Sequence, residues 1–550
     1  MKLLSLKLKG RYKGLKDQYF DFSRTQGNIV ALIGLNGSGK SQLLEVIAEA
    51  FAFLERCQRD DFVVRTPLGF GFELIYEIAK DDLLGNIWNV TNKFELDESS
   101  CLPKVFQQNE GGWEPISIED AVLPHVVGYS SGLNENLQRS FMKNAVQYFE
   151  VQRIRLQYMK EFRAVENGAL RNEINQKYLD KYPHAFSSEA GLTNGFDEFT
   201  PLSHAAIQTS KSIYLDYDSA GLVLASLAIL PAQEVEQLFS EVTFKYPVSV
   251  TFQYDLRGGV TDEADASRDI KRLISIAGQD QFKPVGRSAT EEQFDLYELE
   301  YLAGDITLDL ANPNVVSALR EANYGDPIAF FNRLYKLQQL GIKKWQYASR
   351  LQLQKDNFQG TVKKPLKTKL PLSVSELILS DGQGRTVCLD DLSDGEAQLI
   401  EALAVTRIFS AERTLFLFDE PETHLNPSWR TYYHSYLSKA IVSNDVSKSS
   451  VILSTHSPFM VSSLKRENVL FFKRDDSGSI RMSSVNSQTY GASFEVLIKD
   501  LFELRSLISH SVIDEIRDQL QHGDDHARDW IESNLGLSAE KAYLIRKLSQ

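Results

Sequence analysis

The sequence predicts an α/β fold built on a buried, mainly parallel sheet, and three stretches predict it. In each, an apolar run of strand length ends in polar residues suited to phosphate or metal: Ile29 to Ile33 before a glycine-rich loop, Leu415 to Phe418 before Asp419-Glu420, and Val451 to Thr455 before His456. Continuous apolar runs suit strands covered on both faces, and ligands gather at the C-terminal edge of such a sheet.

The first stretch is the most specific. Gly34-Leu35-Asn36-Gly37-Ser38-Gly39-Lys40-Ser41 satisfies G-x-x-x-x-G-K-[ST], and residues 42–53 continue as a helix through Leu43, Leu44, Val46 and Ile47. Gly34, Gly37 and Gly39 let backbone N–H groups turn inward on a phosphate, with Asn36 and Ser38 between them. Lys40 offers positive charge to the β- and γ-phosphates, Ser41 offers a hydroxyl to Mg²⁺, and the helix N-terminus adds partial positive charge. Nucleotide binding is therefore the first expectation.

Composition sets the bounds. A chain of 550 residues can hold several domain-sized units, and 43% hydrophobic with 24% charged residues points to an ordinary globular protein rather than a disordered one. The net charge of −14 argues against a wholesale basic binder of nucleic acid, so any such contact must come from a local patch. Cys57, Cys101 and Cys388 are scattered, with neither metal spacing nor a disulfide framework, so a reducing cytoplasm is the expected location. The N-terminal residues alternate Lys with apolar side chains, unlike a signal peptide, and the longest apolar run, Leu222 to Leu230, is too short to span a bilayer. No membrane partner is expected.

Along the chain, residues 2–9 alternate as a half-buried strand, with 19–22 as a partner. Further strands are expected at 70–78, 87–96, 104–108 and 125–129, the last leaving through the polar Ser130-Ser131-Gly132. Residues 134–182 read as helical, with Phe141, Tyr148, Phe149, Tyr158 and Phe162 as core aromatics. A Gly/Pro/Ser/Thr-rich stretch, 183–210, precedes a strand at 212–217, a buried helix at 220–230 and a strand near 242–254. The rest to about 344 reads as mixed and helical, with Asp326-Pro327 starting a helix. No heptad run or internal repeat is visible.

One segment departs from the acidic average. Between Arg333 and Lys369 ten basic residues meet a single acid, Asp356, with Trp345, Tyr347 and Phe358 among them. Charge with interleaved aromatics suits nucleic acid or an acidic partner; a solvated helix face followed by an exposed linker at Pro365 is the plainer reading.

Strands resume at 376–379 and 386–389. Leu392-Ser393-Asp394-Gly395-Glu396 then opens a helix, for which Ser393 and Glu396 form a capping box. Carboxylates at the end of the apolar strand 415–418 are where Mg²⁺ and an attacking water would meet a bound phosphate. Beyond His456, His522-Gly523-Asp524-Asp525-His526 reads as an exposed link between helices. Ile513, Ile516 and Leu520 form an apolar stripe on a helix capped near Ser511.

In this order the motifs resemble the ATP-binding-cassette (ABC) ATPases, in their soluble RecF/SMC-like branch. Residues 34–41 match the Walker A loop, Leu392 to Glu396 look like the signature, Phe416 to Pro421 match Walker B, and Glu422 to Pro427 look like the D-loop region. The resemblance implies a P-loop ATPase head with an antiparallel β-subdomain, formed by residues 1–135 and 371–485. It leaves a mainly helical insert at 136–370, carrying the basic segment 333–369, and a helical tail at 486–550. It implies ATP and Mg²⁺ as cofactors, with Asn36, Gly37, Ser38, Gly39, Lys40 and Ser41 on the phosphates. Ser41 and Asp419 would attend the metal, Glu420 would polarise water, and His456 would sense the γ-phosphate.

Ser393, Gly395 and Glu396 would serve the nucleotide of an opposite subunit, which requires a homodimer and admits a larger assembly. Asp394 stands where the family usually has Gly or Ser, and Asn426 where relatives often have His. Gln107 and Gln108 are the candidates for the glutamine that ABC ATPases place near the metal.

FDEPETHLNP and STHSP are similar to OLD-type and defence-associated ATPases, and the compact plan looks like the PtuA ATPases of Septu and retron-associated antiphage systems. That resemblance implies a regulator of a partner HNH nuclease, with no nuclease activity of its own. A retron reverse transcriptase and its RNA or DNA are further implied partners. The alternative is a RecF/SMC-like DNA-binding ATPase of repair or end processing, which the lack of a coiled coil disfavours.

Overall fold

Seven strands form the central sheet of the computed structural model, in the order Ser212–Leu215, Val126–Ser130, Leu415–Asp419, Ser450–Ser454, Ile29–Gly34, Val469–Arg474 and Ile480–Ser484. All neighbours run parallel except the last pair. The structure describes the chain outside residues 60–63, 65, 82–85, 131–134, 183–209, 258–265, 286–301, 363–369, 442–448, 476–478, 503–507 and 549–550. Every residue of the strands Ile29–Gly34, Leu415–Asp419 and Ser450–Ser454 is buried, as their unbroken apolar runs require. Register places Asp419 beside Ser130 and Ser454, and Ser454 beside Leu32, so the polar strand ends line one edge. The helix Lys40–Cys57 leaves that edge and packs on the sheet through Leu43, Leu44, Val46 and Ile47, all fully buried.

An antiparallel sheet of six strands, Tyr19–Asp21, Lys2–Lys9, Gly71–Asp81, Ile87–Leu96, Lys104–Asn109 and Gly112–Pro115, covers the other side of this core. The mixed α/β architecture with an antiparallel β-subdomain agrees with the sequence expectation.

The insert, whose described residues are mostly in helices, also supplies strands. Its strand Ser212–Leu215 completes the parallel sheet, and Tyr246–Asp255, Phe282–Pro284 and Ala303–Asp309 build a second antiparallel sheet with Leu372–Ser380 and Thr386–Cys388. Ala303–Asp309 is a short run with polar residues between its apolar ones, and its pairing with Tyr246–Asp255 rather than local propensity holds it extended. Residues 1–490 accordingly form one compact unit.

The helix Glu135–Arg163 buries Phe141, Phe149 and Tyr158, as expected, but it also buries charge. Arg139 lies 2.9 Å from Glu45 and 3.6 Å from Glu49, and Lys143 lies 2.7 Å from Glu49. Each of these four side chains is at most 2% exposed. The pairs sit at i, i+4 on both helices, so one face of the phosphate-loop helix is zipped to the insert by ions. Asp356, the lone acid of the basic segment, belongs to the same interior and pairs with Arg56 at 3.0 Å.

Residues 491–550 form a second unit of four helices, Phe494–Leu501, His510–Leu520, Asp524–Asn534 and Ala539–Leu548. The helix expected to be capped by Ser511 spans His510–Leu520, with Ser509 at the cap position and Ser511 inside it, and of its apolar stripe Ile516 is buried while Ile513 is half-buried and Leu520 exposed. Thr489, placed by the sequence in the tail, is buried in the first unit and donates its hydroxyl to Leu464 O at 2.6 Å. No helix among the described residues is long and apolar enough to cross a membrane.

Candidate active site

The loop 34–41 takes the backbone shape its glycines predict. Gly34, Gly37 and Gly39 have φ of 143°, 75° and 100°, and a Cβ on Gly34 would lie 2.2 Å from Phe472 O. Leu35, Asn36 and Gly37 are exposed, while Ser38, Gly39 and Lys40 are buried. The Ser38 hydroxyl is buried with no hydrogen-bond partner among the described residues, an orphan donor inside the loop. Arg474, at the end of a neighbouring strand, grips the loop from outside by donating to Gly37 O at 2.9 Å. No motif around Arg474 marks it for this role.

Lys40 points into the site. Its ammonium donates to Gly34 O at 2.9 Å and lies 2.9 Å from Nε2 of His456. Burial holds Lys40 below its usual range, against the pull of Glu420 and Asp419. Burial and the Lys40 charge push His456 down to about 4, with Asp419 opposing, so at neutral pH the ring is uncharged and Nε2 accepts from the lysine.

Ser41 donates its hydroxyl to Asp419 Oδ1 at 3.0 Å, and Ser454 donates to the same oxygen. Two hard oxygen ligands thus converge where the loop meets the strand edge, a donor set that fits Mg²⁺ completed by waters and phosphate oxygens. Glu420 follows with φ of 50°, a strained backbone for a non-glycine residue, held because its N–H donates to the hydroxyl and the carbonyl of Ser454 at 3.1 and 3.2 Å. This turn brings its carboxylate 3.4 Å from His456 Nε2. Lys40, Ser41, Asp419, Glu420 and His456, spread over more than four hundred positions, therefore meet around one point.

Ser393, Gly395 and Glu396 lie elsewhere. Ser393 caps the helix Asp394–Phe409 as expected, with its hydroxyl 2.8 Å from the Glu396 carboxylate, and both residues of the box are turned on each other. Among the described residues no hydrogen bond joins them to the loop 34–41. The helix start is instead fitted to the turn after Walker B. A Cβ on Gly395 would lie 2.8 Å from His424 O, and Gln398 accepts from His424 N at 2.9 Å. Ser393 and Asp394 face solvent.

Gln107 and Gln108 belong to the six-stranded sheet, where Gln107 donates to Asn92. The strand that ends beside Asp419 is Val126–Ser130, and the following residues Ser131 and Gly132 lie outside the described ones. In the basic segment Arg333 donates to Ala322 O and Arg350 pairs with Glu150 at 2.7 Å. Lys363, Lys364, Lys367 and Lys369 lie outside the described residues. His522 donates from Nδ1 to Asp518 O at 2.8 Å within its own helix end, and no cluster able to hold a metal ion is found among the described residues.

Residues 232–462 match the family described as AAA domain, putative AbiEii toxin, Type IV TA system. The match covers the signature helix, Asp419, Glu420 and His456, and leaves out the phosphate loop. Among solved structures, the chain is 12% identical to the Smc head bound to the C-terminal winged-helix domain of ScpA, over 88% of this chain and 98% of that one, with a TM-score of 0.31. No curated protein matches. In the region that carries the carboxylates and His456, the chain is similar to AAA-type ATPase domains.

Proposed function

We propose that this chain is an ATP hydrolase of the ABC type whose turnover regulates a partner protein in an antiphage defence complex. The observation that carries the hydrolase reading is the meeting of Lys40, Ser41, Asp419, Glu420 and His456 at one sheet edge. Inward-turned N–H groups, the Ser38 hydroxyl and Lys40 would bind the phosphates, replacing the contacts that Lys40 makes with Gly34 O and His456. Ser41 and Asp419 would hold Mg²⁺, which would supply charge neutralisation at the phosphates when bound. Glu420 would take a proton from water attacking the γ-phosphorus, and the neutral His456 beside it would contact the γ-phosphate.

The signature supports a dimer. Each chain carries one phosphate loop and one signature, and Ser393 with its helix N-terminus is exposed and not bonded to its own loop. Two chains head to head would place each Ser393 against the other's nucleotide, once the hydroxyl turns from Glu396. Asp394 adds negative charge there and should slow closure. A defence role is supported by the FDEPETHLNP and STHSP wording and by the toxin–antitoxin description of the matched family. An HNH nuclease is the partner we propose.

The test is to measure ATP turnover and molecular mass with and without ATP, using Lys40→Ala and Ser393→Arg. Wild type should dimerise with ATP, each variant alone should be inactive, and their mixture should regain at most one of two composite sites. Normal hydrolysis by either variant alone would remove the composite-site reading.

A further inference from the structure

The turn after the two carboxylates contains an acid with no place in the chemistry described above. Glu422 is 4% exposed, and its Oε1 accepts the hydroxyl of Thr455, which is itself fully buried. Its Oε2 has no hydrogen-bond partner among the described residues, and neither has the phenol oxygen of buried Tyr433, whose ionisation is further disfavoured by the nearby Glu422 carboxylate. Burying a carboxylate costs several kcal/mol unless it is well paired, so an apolar residue would fill this space more cheaply. The position of the contact suggests what offsets that cost. Glu422 lies two residues beyond Glu420, and Thr455 lies immediately before His456.

We propose that Glu422 is a positioning residue of the hydrolytic site, and that its grip on the Thr455 hydroxyl fixes Glu420 and His456 relative to each other beside the γ-phosphate position. The inference rests on the ATPase reading above and adds to it a part played behind the reacting groups. Three further contacts make the grip rigid. Thr455 Oγ1 accepts from Ser457 N at 2.9 Å, so the hydroxyl hydrogen is directed to Glu422. Thr455 N donates to Leu32 O at 3.0 Å, which ties the same residue to the strand that feeds the phosphate loop. On the other side, Glu420 N is held by Ser454, so the acid turn and the histidine strand end are pinned above and below the pair. Glu420 itself sits at φ of 50°, a shape that persists only when its surroundings over-determine it. Freed of the Glu422–Thr455 contact, the turn can relax and carry the Glu420 carboxylate away from the attacking water.

The test compares Glu422→Met and Thr455→Val, which delete the contact with little change in volume, with Glu422→Gln and Thr455→Ser, which keep it. ATP affinity, melting temperature and turnover are measured for each, with Lys40→Ala as the inactive reference. The first two should lose about 10- to 100-fold in kcat with ATP affinity little changed. The last two should recover most of it. The double variant Glu422→Met/Thr455→Val should be no slower than either single one, because both remove the same contact. Additive losses, unchanged turnover, or conservative variants as slow as the apolar ones would overturn the proposal while leaving the ATPase reading standing. A wild type without Lys40-dependent hydrolysis would overturn both.

Discussion

The ammonium nitrogen of Lys40 lies 2.9 Å from Nε2 of His456, so the cation of the phosphate loop is held by the residue expected to face the γ-phosphate. ATP must therefore compete with His456 for Lys40. His456→Ala removes that competitor and also the contact to the γ-phosphate. ATP affinity should stay equal or tighten, while kcat falls about tenfold or more. Equilibrium binding and steady-state turnover on one preparation separate the two effects. A loss of affinity with kcat intact would show that the histidine serves binding alone.

Glu49 should be among the least replaceable acids outside the site. It is 1% exposed and faces both Arg139 and Lys143; Arg139 keeps Glu45, but Glu49→Ala leaves the buried Lys143 short of its counter-ion. Breaking a buried pair in this way costs about 3–5 kcal/mol, readable as a fall in the urea midpoint. Replacing Glu49 and Lys143 together by apolar residues, with the Arg139–Glu45 pair left in place, should restore most of the loss. A cost below about 1 kcal/mol, the range of exposed pairs, would show that the ions are hydrated.

Glu401 gives a pH dependence whose sign is fixed. It lies in the helix Asp394–Phe409, and burial pushes its carboxyl up to about 7, with a hydrogen bond from Tyr129 pulling the other way. Between the ordinary carboxylate range and about pH 7 the folded chain holds a proton that the unfolded chain releases, so this group favours the fold at low pH and loses that contribution as pH rises through 7. Glu401→Gln never carries the charge. Its melting temperature relative to wild type should therefore be higher at pH 8 than at pH 5. An equal offset at both pH values would mean that Glu401 titrates normally.

The tail, with Ile513 and Leu520 of its apolar stripe not fully buried, is the surface expected to dock the proposed partner, and truncation tests it. Because Thr489 is buried and bonded to Leu464, truncation should follow Tyr490 rather than precede Thr489. Residues 1–490 should then remain folded and bind ATP, while co-purification of the proposed partner nuclease is lost. Retention of the partner would move its docking surface into the first unit.

Much of the site was legible because each part is local. A strand, a turn and a helix in succession give Lys40 its place from sequence alone, and the acids at 419 and 420 follow from one apolar run. What could not be read depends on partners far apart in the chain. Glu45 and Arg139 are 94 residues apart, and a Glu on an amphipathic helix is ordinarily solvated, so nothing in the pattern announces a buried ionic zipper. Glu422 reads as one more acid in an acidic motif until the fold sets Thr455 against it. The strand Ala303–Asp309 was missed for the same reason, since its neighbours Tyr246–Asp255 and Phe282–Pro284 define it. In the basic segment, Arg350 and Arg333 are engaged by neighbours that its composition does not show.

The central claim is hydrolysis of ATP at the edge where Glu420 stands beside His456, and phosphate release by Glu420→Gln, with ATP binding measured on the same protein, tests it most directly. The change removes the proton acceptor and leaves the phosphate loop intact. The account predicts turnover at least about tenfold slower than wild type, with ATP affinity little changed. Wild-type turnover in Glu420→Gln would contradict it.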